Sequence, residues 1–550
     1  MALSPIVLAV SLLAGTTVLW RMFAYLRLRL ASSVIYSIPG PPASSFWTGN
    51  MTDLFDHKQE AFYHSVATDY GSIVKISGFL GRPMLVVADP KALHHMLIKE
   101  EHVYQETKQF ISTNLVYFGP GLLSTLGKQH ARQRKLLNPV FSVNHMRHML
   151  LLFYDITHKL RDALKSRLQN GPKDVDVHDW MGRTALELVG QGGLGYSFDT
   201  LVEDSKDEYG QALKRFAPLV STVSLVGGVV SPSMKLPKWL RRTIVESFPA
   251  GTRIERLKKV VDTMDGNARA VYTAKRCSLE KGDAEVVKQV GAGKDIISVL
   301  IRANTTAQEK DRLSEEEIVA QMSTLIFAGM DTTSNTLSRI LWILAQNPDV
   351  QMKLREELLD ANAMESLAYD ELNRLPYLDA VCRETMRVYP TVNLLFRVAT
   401  EDSVLPLSEP LNTRDGKRLT EIPVPKGSDL LIGVLGSNLS RALWGEDAME
   451  WKPERWINGI PAAVSDAHIP GVYSNLMSFS GGKRACMQVG FKFSEMEMKV
   501  VLSVLVSTFT FELGEQPIAW NMGGLVFPTV GWESIEPSLP LKLSLYKPAL

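Results

Sequence analysis

From Ala2 to Trp20 the chain carries no charge and is mostly Leu, Val, Ala and Ile. At about 1.5 Å per residue a helix of this length reaches roughly 28 Å, close to the hydrocarbon thickness of a bilayer. Arg21, Arg27 and Arg29 follow it, and no Lys or Arg precedes it. The positive-inside rule therefore predicts a transmembrane anchor over 2–20, with the amino end in the lumen and the remainder cytosolic. A cleaved signal peptide, the alternative, carries a basic leader before a shorter apolar core. Ser37-Ile38-Pro39-Gly40-Pro41-Pro42 resists helix, so 21–53 reads as a basic, proline-rich hinge that is stiff rather than merely long.

Beyond Leu54 no low-complexity linker and no internal repeat divides the chain, so 54–550 reads as one large body. Apolar positions recur with helical spacing over Met146–Leu168, Arg253–Lys275, Glu315–Gln346, Val350–Asn362 and Tyr377–Val388. Short β-rich runs occupy Ser72–Ile76, Met84–Ala88, Leu430–Val434 and Lys542–Tyr546. Cys277–Lys294, rich in Gly, Lys and Glu, reads as an exposed loop. The fold class is mainly α with minor β sheets.

The stretch from Ser314 to Asn347 breaks its own pattern. Ser314 with Glu317 forms a capping-box start, and a long apolar run follows from Ile318 to Leu344. A helix that is apolar nearly all round belongs in the core. Its middle nevertheless reads Ala328-Gly329-Met330-Asp331-Thr332-Thr333-Ser334, poor helix formers that are costly to bury. Either the hydroxyls bond back to carbonyls one turn earlier, or the interruption serves a site.

Composition narrows the class. The chain has 550 residues, 45% apolar and 22% charged, which excludes a disordered, collagen-like or many-spanning protein. Lys and Arg total 60 against 59 Asp and Glu, so no global basic field exists to drive nucleic-acid binding. Three cysteines, Cys277, Cys382 and Cys486, are too few for a disulfide scaffold.

Ser478-Phe479-Ser480-Gly481-Gly482-Lys483-Arg484-Ala485-Cys486 carries the strongest chemical signal. Two glycines allow a sharp turn and close backbone approach to a ligand. Lys483 and Arg484 put positive charge beside the thiol, and a helical pattern from Gly490 sets it near a helix start; both favour thiolate. Such a thiolate suits a nucleophile, a redox sensor or a metal ligand. Cys-x-x-Cys, His-Glu-x-x-His, Gly-x-Ser-x-Gly and the phosphate-binding Gly-rich loop are all missing.

Phe479-Ser-Gly-Gly482-Lys-Arg484-Ala-Cys486 resembles the haem-binding signature of the cytochrome P450 family, Phe-x-x-Gly-x-Arg-x-Cys-x-Gly. Glu384-Thr-Met-Arg387, Ala328-Gly-Met-Asp331-Thr332, Pro453-Glu454-Arg455-Trp456 and the proline hinge resemble further marks of that family, in its order, over nearly the whole chain. Gln129–Ser142 and Phe491–Leu502 look most like fungal microsomal members. Two departures stand out. Gln488 occupies the signature's second Gly position while Gly490 stands four after the Cys, which a two-residue insertion explains. The family's Trp-x-x-x-Arg reads His130-Ala-Arg-Gln-Arg134, and a His donor can replace an indole N–H.

The resemblance implies a cytochrome P450 fold binding haem b, with Cys486 as axial ligand and Arg484, Arg397, Arg134 and His130 toward the propionates. It implies that Phe479 and Gly482 shape the thiolate loop, and that Glu384, Arg387 and Arg455 form a structural cluster. Thr332 and Asp331 would deliver protons during O2 activation. Electrons would come from NADPH through a membrane-bound cytochrome reductase, docked near Lys128, Arg132, Lys135 and Lys483. The implied enzyme is a monooxygenase of the endoplasmic reticulum membrane acting on a hydrophobic small molecule, such as a fungal terpenoid. Its apolar pocket is expected from Phe110–Phe118, Ile326, Phe327, Met330, Val392–Phe396 and Val526–Phe527. An O2-independent isomerase or dehydratase and a non-catalytic haem sensor are the competing readings.

Overall fold

A computed structural model of the chain describes residues 16, 30–56, 58–201, 208–223, 227–282, 293–486, 490–522 and 524–547. The anchor expected at 2–20 and the position of Gln488 lie outside the described residues. Among the described residues, no helix is long and apolar enough to cross a membrane.

Helices supply most of the body. Those that place the site are α1 (Lys108–Phe118), α2 (Gly127–Leu137), α3 (Val143–Arg167), α4 (Val177–Leu188) and α5 (Arg253–Lys281). They continue with α6 (Glu315–Gln346), α7 (Pro348–Asp360), α8 (Pro376–Val388) and α9 (Gly490–Thr508). The capping box is present: Ser314 Oγ accepts from the Glu317 amide, and Glu317 accepts from the Ser314 amide at 2.9 Å. α6 runs through the core and packs against α4, α8 and α9. Of the loop expected over Cys277–Lys294, Cys277–Lys281 is instead the last turn of α5, where Arg276 pairs with Glu280 one turn on, and 283–292 lie outside the described residues.

A five-stranded sheet flanks the helices, built from β1 (Ile73–Ser77), β2 (Pro83–Val87), β3 (Tyr104–Gln105), β4 (Leu394–Ala399) and β5 (Asp429–Gly433). Their order is β1-β2-β5-β4-β3. Period-two alternation sends each strand's side chains to two different cores. Ile73, Leu85, Val87, Leu430 and Ile432 join the main core. Val74, Ile76, Met84, Val86 and Leu431 join a smaller one with Leu54, Tyr63 and Trp520. The proline segment docks on this sheet: the Lys75 amide donates to the Pro39 carbonyl at 2.9 Å, and Ile35 and Ile38 are buried.

Candidate functional site

The thiol loop descends from a short hairpin strand, β6 (Leu476–Gly481), and closes when the Cys486 amide donates to the Phe479 carbonyl at 2.9 Å. Gly482 has φ +69, and a Cβ there would run into the Leu97 carbonyl; one at Gly481 would run into the Pro470 carbonyl. The glycines are thus needed for approach to neighbouring backbone, a reason the motif alone does not reveal. Phe479 packs edge-on against Tyr473 at 5.3 Å and beside Phe491 at 5.9 Å.

The expected electropositive activation of Cys486 does not arise from the flanking cations. Lys483 points outward to Glu101 at 2.9 Å. Arg484 donates to the Leu122 carbonyl at 3.1 Å and to the Thr125 carbonyl. Cys486 keeps accessible surface of its own, yet protein surrounds it, and this burial pushes the thiol up to about 11 against the opposing pull of Arg134. The protein by itself keeps this sulfur as thiol at neutral pH, which disfavours a free nucleophile and fits a metal ligand, since coordination removes the proton. Cys382 is buried, and burial drives its thiol up as well; Cys277 is exposed on α5.

Around the loop stand more cations than the protein neutralises. Arg134, one turn beyond His130 on α2, donates to the Ala485 carbonyl at 2.9 Å. Arg397, on β4, donates to Glu106 at 2.9 Å and to the Phe396 carbonyl at 2.7 Å. Each guanidinium offers five N–H donors, and these bonds engage only part of them. His130 is buried, and burial together with Arg484 and Arg134 drives its imidazole down to about 3, leaving it neutral with one N–H. Glu106 is the buried carboxylate beside Arg397 and Arg484, and the half-buried Glu101, paired with Lys483, acts on all three guanidiniums from the rim, so cations still outnumber acids here. Buried cations require anions, so this donor set fits the two carboxylates of a haem. Sequence reasoning missed Glu106, whose position depends on how two distant strands pair.

Above the loop, α6 bears the polar interruption of its apolar run. Ala328 is exposed at the middle of this core helix, and Asp331 and Thr332 are half-buried beside it. Thr332 Oγ1 donates to the Ala328 carbonyl at 2.7 Å, the back-bond expected of a Thr within a helix. Burial pushes the Asp331 carboxyl up to about 7. The next residue, Thr333, meets Ser494 of α9 at 3.0 Å, tying this turn to the helix that follows Cys486.

Phe118, Phe216 and Phe327 form an aromatic cluster with ring centroids 5.0 to 5.2 Å apart, joining α1 to α6. Ile326 and Met330, expected in the pocket wall, are buried on α6. Of the Val392–Phe396 stretch, Leu395 packs toward the main core. Leu394 and Phe396 line a small cleft of about 40 Å³ with Tyr63, Asn393, Met522 and Val526.

The Glu384 cluster is complete. Arg387 donates twice to Glu384 at 2.8 Å, and to the carbonyls of Asn438, Ala448 and Glu450. Glu384 also accepts from the Lys452 amide at 2.9 Å and Trp456 Nε1 at 3.0 Å, and Arg455 reaches it at 3.5 Å. Two residues not foreseen carry this cluster to the thiol loop. Asn438 accepts from the Met477 amide at 2.9 Å and donates to Ser478 Oγ at 2.8 Å, and Ser478 donates to the Met386 carbonyl at 2.7 Å. On the expected docking face, Arg132, Lys135 and Lys483 are paired with Glu317, Asp311 and Glu101 respectively.

Comparison with known proteins bears directly on this arrangement. The profile of the family described as Cytochrome P450 matches residues 39–532. The chain is 55% identical over 516 residues to Cytochrome P450 monooxygenase 81 of Postia placenta, covering 94% of each protein. It is 45% identical over 520 residues to a ganoderic acid synthetase of Ganoderma lucidum, again covering 94% of each. A cytochrome P450 monooxygenase of Hericium erinaceus is 37% identical, with 95% of this chain and 96% of the relative covered. A mainly helical body with small sheets, the Glu384–Arg387 cluster behind a Phe-to-Cys loop, and likeness over almost the full length of these enzymes agree: the chain belongs to the cytochrome P450 family and is a monooxygenase.

Proposed function

We propose that Cys486 ligates a haem b whose propionates are held by Arg134, Arg397, Arg484 and His130, and that the enzyme inserts one atom of O2 into a hydrophobic small molecule. The excess of buried guanidinium donors around an accessible thiol carries this reading. Bound haem supplies O2 binding and reductive O–O cleavage, which a thiolate ligand favours by donating electron density.

The chain's own residues supply the rest. Phe479 and Gly482 hold the turn that presents Cys486. Asp331, with its carboxyl at about 7, exchanges a proton at neutral pH, and Thr332 relays it from the neighbouring position on α6. The aromatic cluster of Phe118, Phe216 and Phe327 forms an apolar wall between α1 and α6. Kinship with a ganoderic acid synthetase supports a terpenoid of fungal secondary metabolism as the substrate class. Residues 2–20 anchor the protein in the endoplasmic reticulum membrane through their length and following arginines, and 54–550 form the cytosolic catalytic domain. An NADPH-cytochrome reductase in the same membrane donates electrons. Three of the four cations on the expected docking face already have an ion-pair partner, so among the described residues Lys128 is the one of the four without one, and it is exposed to an acidic partner.

Co-expression with a fungal reductase, followed by NADPH oxidation against a panel of terpenoids, tests the proposal. Substrate-stimulated oxidation with a hydroxylated product is expected. Product formed without O2 or NADPH would overturn it.

A further inference from the structure

The register of the five-stranded sheet brings an acid to the edge of the cationic site. β3 pairs antiparallel with β4, Tyr104 opposite Ala399 and Gln105 opposite Val398. One step further, the same register sets Glu106 against Arg397. Their charges meet at 2.9 Å, with side chains 10% and 3% exposed. Arg484 also acts on Glu106, so one carboxylate serves two of the guanidiniums assigned to the propionates. The other acid near this group, Glu101, also acts on Arg134, Arg397 and Arg484, but it is less buried and is paired with Lys483 at the surface. Burial pushes the Glu106 carboxyl up while Arg397 and Arg484 hold it down.

Resting on the haem reading, we propose that Glu106 is a positioning residue that also acts electrically, because its fixed negative charge, placed across the sheet from Arg397, makes the bound haem harder to reduce. The physical ground is simple. Reduction adds one negative charge to the cofactor, and an anion in a partly dry site opposes that addition through the guanidiniums they share. The same anion competes with the propionates for Arg397 and Arg484. Neutralising it therefore has two consequences: the potential rises, and the site grips the haem more tightly. A residue that merely clamped Arg397 would do neither when neutralised.

The test uses full-length, haem-loaded protein in detergent at mildly alkaline pH, above the ordinary carboxylate range. Spectroelectrochemical titration gives the midpoint potential, and transfer of haem to apomyoglobin gives the rate of haem loss. Glu106→Gln keeps an oxygen for Arg397 but removes the charge, and Glu106→Asp keeps the charge. The expected result is a more positive potential with slower haem loss in Glu106→Gln, and a potential near the parent's in Glu106→Asp. An unchanged potential in Glu106→Gln, or an equal shift in both variants, overturns the proposal. So does a folded Glu106→Gln that sheds haem faster than the parent. A parent lacking the thiolate–carbonyl spectrum would instead sink the haem assignment itself, which separates the two failures.

Discussion

Two buried ionic clusters lie close to one loop, and they differ in how fully they are satisfied. Around Glu384, donors and acceptors match: Arg387, Arg455, Trp456 and a backbone amide converge on one carboxylate, and Arg387 finds further carbonyls. Around Cys486, Arg134, Arg397, Arg484 and His130 face one buried carboxylate, Glu106, the half-buried Glu101 that Lys483 already pairs, and some backbone carbonyls. The first arrangement is what a scaffold requires, because a closed network rigidifies and has nothing left to bind. The second is unfinished as protein chemistry, and its excess of donors describes the shape and charge of the partner it takes. Completeness thus separates structural from functional charge where residue type does not.

The contrast breaks most readily at Glu384. Replacing it with Ala leaves Arg387 buried without its partner, and about 3–5 kcal/mol of stability should vanish. Denaturant unfolding checks this, and a loss within surface-mutation range would contradict the scaffold role. Asp331 sharpens the other side. Its carboxyl is raised to about 7 in the folded protein from an ordinary 3.8. Between those values the native state binds more protons than the unfolded one, so stability falls as pH rises from about 4 to about 7. Asp331→Asn should abolish that slope and gain up to about 4 kcal/mol on the parent at alkaline pH. Coupling of product to NADPH should drop in the same variant. Thermal melts across pH would expose an unchanged slope.

Thr332→Ala has a smaller structural cost, about 1 kcal/mol for one back-bond to Ala328. Its expected signature is chemical: more peroxide released per NADPH with little change in melting temperature. Equal coupling in variant and parent would remove Thr332 from proton delivery. Smallest of all, Lys135→Ala breaks an exposed pair with Asp311. Little or no change in stability is expected, and a large destabilisation would show that exposed pairs here behave like the buried networks.

Much of this was legible in sequence because it depends on local spacing. α6 begins and ends where its capping box and apolar run place it, from Glu315 to Gln346. The loop motif located Cys486, and Glu-x-x-Arg located Glu384 and Arg387 on one helix face. What escaped were properties set by distant chain. Glu106 meets Arg397 only through sheet register, 291 positions apart in sequence. Gly482 is fixed by the Leu97 carbonyl. The flanking cations suggested a thiolate, whereas their side chains turn to Glu101 and to backbone carbonyls, and burial raises the thiol instead.

The most direct measurement is the carbon monoxide difference spectrum of the reduced, haem-reconstituted full-length protein beside its Cys486→Ser variant. Thiolate ligation predicts the long-wavelength band of a thiolate-bound carbonyl complex in the parent and its disappearance in the variant. A parent without that band, or a variant that keeps it, would contradict the assignment of the sulfur as the iron's ligand.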